Sequence, residues 1–531
     1  MNIPIDEQRN TLNALAKQGV QHFPVVREVV ADFETPLSCY AKVASGPYSY
    51  LLESANQGGE KWSRYSMIGL PARRVYKIQG QTLNIEEAGE TIESRELIDP
   101  FQFVSDTQAK YSYPIIEGYP QFTGGLVGYF GYDTVRYVEP RLANSTPPET
   151  INTPDILLML SEDVIVFDNV KGKVQLITHV SDLSDDQFFQ AELRLDAMQG
   201  AMLGPLPKHL VEPSVSPAIH ESDFQSSYGQ AQFLDDVEAI KEYVAAGDTM
   251  QVILSQRLRC RMEAHPLTLY RALRALNPSP YMYFMDLDDF AIVSSSPEIL
   301  ARLEDGEVTV RPLAGTRRRG RTREEDEEME AELRSDPKEI AEHLMLIDLG
   351  RNDVGRIAEA GSVTVSDMMT IERYAHVMHI ASHVTGRLKS GLTAVDVLKA
   401  TLPVGTLSGA PKVRALEIID EFEPEKRGIF GGAVGYLSWQ GSMDTAIAIR
   451  TAIVKDGWLN VQAGAGIVAD SVPELEWMET LNKARSIMRA AAIAESGLQF
   501  VATPENPREN QSALGSTESS VGSPSESELE P

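Results

Sequence analysis

Cysteine is nearly missing from this chain: Cys39 and Cys260 are the only two among 531 residues. Two thiols cannot build a disulfide framework or a cysteine zinc centre, so a reducing compartment is the expectation. Basic residues are scarce beside acidic ones, 48 Lys and Arg against 77 Asp and Glu, and a net charge of −29 leaves no basic stripe for a phosphate backbone. Nucleic acid is therefore excluded as a partner. No apolar run approaches the ~18 residues of a membrane span, and the opening MNIPIDEQRN lacks the basic region and apolar core of a signal peptide. The expected location is the cytoplasm, away from membranes. What is present is enough apolar sequence, 42% of residues, to bury large cores.

Composition and turn residues divide the chain into four parts. Residues 1–203 mix short strands with Gly and Pro turns and read as a strand-rich amino-terminal lobe, with a hairpin pair over 157–167 and 174–180 and a helix over 185–202. Residues 204–223 carry Pro205, Pro207, Pro213 and Pro217 without periodicity and read as a crossing segment. Residues 224–497 form a second region, with a helix over 228–246 ended by Gly247, a buried strand over 250–257, and strands over 284–289 and 290–295 after a loop at 277–282. The charged run 317–332 reads as a solvated, mobile loop and helix start. From 498 to 531 Ser, Glu, Pro and Gly dominate, and this acidic tail is expected to be disordered.

Two distant acidic helices carry the chemistry. Asp336 before Pro337 predicts an N-cap and first helical residue, Glu339 falls at the capping-box place, and Ile340, Leu344 and Ile347 predict the buried stripe. Glu339 and Glu342 then stand three apart on a neighbouring face. The pattern recurs far along the chain, where Ser471 and Glu474 look like a capping box and Glu476 and Glu479 again stand three apart, with Lys483 one turn on. Either pair alone reads as a cap and a solvated face. Brought together, the four carboxylates would make a hard, all-oxygen site of the kind magnesium prefers. Pro403 to Lys412 predicts a loop opening a helix whose amides suit an anion. It is not a P-loop, and Gly464 to Val468 lacks the dinucleotide spacing.

Several separated motifs, in order, resemble the chorismate-utilising enzymes: Arg311-Pro-Leu-Ala-Gly-Thr-Arg317, the two Glu-x-x-Glu helices, Tyr374 to His379, Gly405 to Lys412, Gly431 to Tyr436, Ile447 to Arg450 and Gln462 to Gly466. The resemblance spans roughly residues 225–495 and, with the amino-terminal lobe, all but the tail. It implies an α+β fold in which two large antiparallel sheets, flanked by helices, enclose the site. It also implies a magnesium-requiring lyase that converts chorismate and ammonia to anthranilate, pyruvate and water, the first step towards tryptophan. The implied ammonia source is glutamine, hydrolysed by a separate amidotransferase subunit in a heterotetramer of two plus two; neither cysteine here lies in a nucleophile-elbow context.

The same resemblance assigns roles. Glu342 and Glu479 match the magnesium ligands, with Glu339 and Glu476 bound directly or through water. Gly315, Thr316, Tyr436, Arg450, Gly464, Ala465, Gly466 and Lys483 match substrate contacts, as does Thr406, which we group with the catalytic residues. Glu298 matches the carboxyl that protonates the departing ring hydroxyl, and must be neutral to do so. His379 matches a histidine linked to the later loss of pyruvate. Gln251 stands where water-adding relatives carry a lysine base, and an amide cannot deprotonate water, which favours ammonia as nucleophile. Ala314 stands where aminodeoxychorismate synthases commonly carry lysine, which favours the ortho product. Leu51 to Ser54 and Asn277 to Met282 resemble the two halves of a tryptophan-inhibition pocket, with Ser54, Pro280, Tyr281 and Met282 as contacts. The alternatives are an aminodeoxychorismate synthase and a tryptophan-sensing subunit without catalysis.

Overall fold

Strands with alternating or wholly apolar sequence pair into two antiparallel sheets, each of twelve strands among the described residues. The structure is a computed structural model describing residues 5–44, 46–54, 64–374 and 377–499. From residue 500 the expected tail lies outside the described residues, as does His376. Both sheets are antiparallel and helices flank them, as the family resemblance implies.

Each sheet is shared between the two halves of the chain. In the first, Phe23–Val29, Lys173–Val180, Val164–Asp168, Tyr65–Gly69 and Ser49–Glu53 lead into Tyr281–Asp286, Phe290–Ser296, Thr451–Lys455, Trp458–Ile467 and Gln251–Arg261. The seam is the pairing of Ser49–Glu53 with Tyr281–Asp286, where Met282 lies opposite Glu53. In the second sheet the seam joins Ala433–Ser438 to Gly125–Phe130. Ile156–Ser161 and Val164–Asp168 are buried at every residue, as central strands covered on both faces must be. The segment 204–223 thus links parts of the same sheets, and the chain to Leu498 is one compact unit rather than two separately cored lobes.

Several local expectations hold. The helix Asp185–Met202 starts at the Ser184 cap, and Gln230–Ala246 ends where Gly247 takes a left-handed φ of 84°. Others need correction. The run 157–167 is two strands, broken at Glu162 and Asp163, and only the second forms the hairpin with Lys173–Val180. Tyr281 and Met282 begin a strand instead of ending a loop. The charged run forms the strand Leu313–Arg318 and the helix Arg323–Ser335, tied by Arg319 to Asp326 at 2.8 Å and Arg317 to Asp336 at 2.7 Å. Ion pairs that reach from the strand and the loop after it to the helix and the cap of the next one supply the order that composition alone hid.

Candidate active site

The first acidic helix runs Pro337–Ile357, and Asp336 caps it by accepting from the Lys338 and Glu339 amides. Glu339 does not complete a capping box; it pairs with Arg317 at 3.2 Å. The buried side passes through His343, Leu346, Ile347 and Gly350; of the expected stripe Ile347 is buried and Ile340 half-buried, whereas Leu344 is 42% exposed and His343 takes its place. The second acidic helix runs Pro473–Glu495 from Val472, not Ser471, with no side-chain cap. The Ser471 hydroxyl instead accepts from the Val468 amide at 3.0 Å.

These helices bring their carboxylates into one electrostatic space. Burial raises the Glu342 pKa, the Glu339 charge raises it further, Gln251 and Lys483 oppose, and Glu479 adds repulsion from the other helix. Glu476 is likewise raised by burial and by Glu479, and lowered by its hydrogen bond to Ser471 and by Lys338 from the first helix. Like charges held this close repel one another and favour any cation placed between them. Lys483 takes part of that role: its Nζ lies 2.6 Å from Glu479 and donates to the Gly464 carbonyl at 2.8 Å. Among the described residues no three His, Cys, Asp or Glu side chains form a closed ligand set, so a metal here needs waters or substrate to complete its shell.

A glycine strand forms the floor. Gly464, Ala465 and Gly466 lie on Trp458–Ile467, opposite Ser255, Leu254 and Ile253. A Cβ on Gly466 would stand 2.5 Å from Gln251 Nε2, so only glycine lets that amide cross the strand towards Glu342. Arg450, at a positive φ of 50°, donates from Nη1 to the Lys483 carbonyl at 2.6 Å.

Glu298 closes the site from the end of Phe290–Ser296. Burial pushes its carboxyl up to about 7, against the lowering effects of Lys483, a Thr406 hydroxyl donating at 3.4 Å, Arg311 and Arg450. That value suits a group that must hold a proton near neutral pH. His379 lies across a β-bulge. Between Ala314 and Arg317 the register with Val377–Arg387 slips, freeing the Gly315 carbonyl to accept from His379 Nδ1 at 2.8 Å; Thr316 Oγ1 lies 3.1 Å from the same nitrogen. A carbonyl only accepts, so Nδ1 carries the hydrogen and Nε2 keeps a lone pair. Burial first, then Arg450 and Arg311, lowers the His379 pKa while the Gly315 carbonyl opposes, and the ring is neutral. Gly315 has φ 66°, and a Cβ there would meet Leu333 at 2.8 Å.

Most of the expected site is thus brought together: Glu298, Thr406, Gln251, His379, Gly315, Thr316, Arg450, Lys483, Gly464 to Gly466 and the four glutamates. Tyr436 is not. Its ring packs on Phe122 at 4.6 Å, and the charges around it are Asp444, Arg302 and Glu304. It shares that neighbourhood with Tyr281, whose hydroxyl donates to Asp444 at 3.0 Å while Arg302 Nε donates to the same carboxylate. Along a strand a substrate-facing residue has neighbours on the opposite face, and motif membership does not say which face a residue takes. Tyr436 belongs with the second group of expected residues: Pro280, Tyr281 and Met282 lie beside the strand ending at Glu53, and the buried Ser54 hydroxyl has no hydrogen-bond partner among the described residues. A groove of about 710 Å³ adjoins them, bordered by Tyr65, Arg302, Tyr436 and Asp444.

Sequence reasoning missed two buried charged groups. Arg311 is 6% exposed inside a strand-like run, a cation with no solvent to hold it, and that is the signal that could have marked it. Arg427 donates to the Ile253 and Leu407 carbonyls and pairs with Glu423, fixing the Thr406 turn against the Gln251 strand. Both cysteines are buried with thiols pushed up to about 12 by desolvation, which leaves neither reactive.

Known proteins give the same picture. The family model described as chorismate binding enzyme matches residues 48–489. An anthranilate synthase component 1 from Pseudomonas putida is 56% identical over 91% of this chain and 97% of its own length. One from Aquifex aeolicus is 46% identical over 93% and 99%. The crystal structure of anthranilate synthase component I from Streptococcus pneumoniae superposes with a TM-score of 0.72 at 37% identity, covering 87% of this chain and 98% of that one. The menaquinone-specific isochorismate synthase of Escherichia coli, at 19% identity and a TM-score of 0.64, shares the fold.

Proposed function

Because the chain belongs to the chorismate-binding enzyme family, in its anthranilate synthase component 1 branch, we propose that the cluster around Glu298, His379 and the two acidic helices is where chorismate and ammonia become anthranilate, pyruvate and water. The observation that carries this reading is the convergence of Glu342 and Glu479 from helices more than a hundred residues apart onto one space beside a carboxyl held near pKa 7.

Glu342 and Glu479 would hold magnesium, with Glu339 and Glu476 as direct or water-mediated neighbours; the mutual repulsion of these carboxylates is the feature that fits a dication. When bound, the ion would act as a Lewis acid on the ring carboxylate. The remaining work falls to the chain's own groups. Arg450, Lys483 and the Gly464 to Gly466 backbone offer donors for the carboxylates of chorismate. Glu298 gives its proton to the ring hydroxyl, which leaves as water, and ammonia forms the new C–N bond without a base, since Gln251 supplies none. Nε2 of His379 then accepts the ring proton whose loss restores aromaticity as pyruvate departs.

The ammonia comes from glutamine through a second component, a glutamine amidotransferase subunit in a two-plus-two assembly. Tryptophan binds where Ser54, Pro280, Tyr281 and Met282 meet, and it inhibits because it favours a conformation that binds chorismate poorly. Among the described residues no helix is long and apolar enough to cross a membrane; the biosynthetic reaction proposed here puts its place of work in the cytoplasm. The test is the purified chain with chorismate, ammonium salt and magnesium. Ortho-aminobenzoate fluorescence that disappears on chelation is expected; para-aminobenzoate would move the chain to the sister activity, and no product would leave the sensing subunit.

A further inference from the structure

Arg311 is a buried cation to which the proposed reaction gives no task. Its guanidinium is ion-paired with Glu372 and donates to the Tyr374 hydroxyl at 3.4 Å, and that hydroxyl donates to Glu372 at 3.0 Å. The Tyr374 ring meets the His379 imidazole edge to face, with 5.6 Å between centroids. On its other side, Arg311 lines with Glu298 and Thr406 a cavity of about 30 Å³, room for a water or two. One charge therefore borders both proton-handling groups while its own ion partner is a third residue.

We propose that Arg311 is a positioning residue for proton transfer, anchored by Glu372 and Tyr374 so that its positive charge faces both the Glu298 carboxyl and the His379 imidazole. The inference rests on the reading of those two groups as acid and base. A fixed cation stabilises ionised Glu298 and penalises protonated His379. Glu298 faces Lys483, Thr406, Arg311 and Arg450, and these three cations and the Thr406 hydroxyl hold it to about 7 against burial, low enough to release its proton readily at neutral pH. His379 faces Arg450, Arg311, Tyr374, Thr316 and the Gly315 carbonyl; burial first, with the two guanidinium groups adding to it, keeps its ring neutral and Nε2 open. Glu372 offsets part of the Arg311 charge and fixes its direction. Lysine would keep the charge but lose the fork that binds Glu372 and Tyr374 together.

The test compares Arg311→Gln and Arg311→Lys in the full chain, measuring kcat/KM for chorismate against pH at fixed free ammonia. With Arg311→Gln both limbs of the profile should move to higher pH, the alkaline limb by roughly one pH unit, as expected when an opposite charge is removed from a carboxyl's surroundings. With Arg311→Lys the limbs should return to their wild-type positions even where the maximum is lower. Equal losses at every pH in both variants, with the limbs unmoved, would overturn the proposal and leave Arg311 a structural residue. Should Arg311→Gln fail to fold, Glu372→Gln provides the second arm: it strengthens the field of Arg311 and should move both limbs to lower pH, and unmoved limbs there also overturn the proposal. Glu298→Gln separates the two levels. If that variant keeps its activity and its alkaline limb, the assignment of Glu298 as acid fails; if its activity is lost at every pH while the Arg311 and Glu372 variants leave their limbs in place, only the role of Arg311 fails.

Discussion

Replacing Glu298 by glutamine should make the protein more stable while abolishing synthesis. Burial pushes this carboxyl from an ordinary 4.5 up to about 7. In the unfolded chain it ionises near 4.5; in the folded protein it holds its proton until about 7, so between these values the folded state binds the extra proton. Stability therefore falls as pH rises through that window and stays reduced above it. At about 1.36 kcal/mol for each pH unit, the loss comes to about 3 kcal/mol, and water in the cleft lowers it towards about 2. Glutamine has nearly the same shape and no charge to bury, so the variant escapes the loss. Urea denaturation of wild type and Glu298→Gln at pH 5 and pH 9 measures the difference directly, with the ionisations common to both proteins cancelling. We expect a gain of about 2–3 kcal/mol at pH 9 that shrinks to less than about 1 kcal/mol at pH 5. A gain of equal size at both values, or one that grows towards acid, would refute the claim that an ionised Glu298 is disfavoured by its surroundings. Anthranilate formation should meanwhile be lost at all pH values, because the amide has no proton to give. Stability and activity trade against each other at this residue.

Glu342→Ala and Glu479→Ala should each cut anthranilate formation by roughly a hundredfold or more, the scale on which a single electrostatic contact to a developing charge is felt, and should weaken magnesium binding in a calorimetric titration. Gly315→Ala combines a left-handed φ of 66° with a contact at 2.8 Å to Leu333, and is expected to cost about 1–3 kcal/mol in denaturation while disturbing the carbonyl that orients His379. Ser54→Phe should raise the tryptophan concentration needed for half inhibition by about tenfold or more, with the uninhibited rate unchanged, because it fills the proposed inhibitor pocket and touches none of the proposed reacting groups.

The acidic pairs were legible because i, i+3 spacing survives without tertiary information, and so was the helix cap at Asp336, where side chain and first-turn amides are neighbours in sequence. The way the two regions share their sheets was not. Proline density marks 204–223 as irregular, but whether the segments on either side form one sheet or two depends on pairings such as Met282 with Glu53, which no local pattern encodes. Tyr436 shows the same limit within the site. It lies in a glycine-rich motif beside residues of the chemistry, yet the register of Ala433–Ser438 sets it opposite Asp444, and Asp444 holds the Tyr281 hydroxyl. The two proposed pockets thus meet in the pairing of strands: Tyr281 lies opposite Ser296, two residues before Glu298. A ligand that moves the first residue of that hairpin has only one strand crossing between it and Glu298, the proposed proton donor. Distance along the chain, 17 residues from Tyr281 to Glu298, conceals a connection that the hydrogen-bonded ladder makes short.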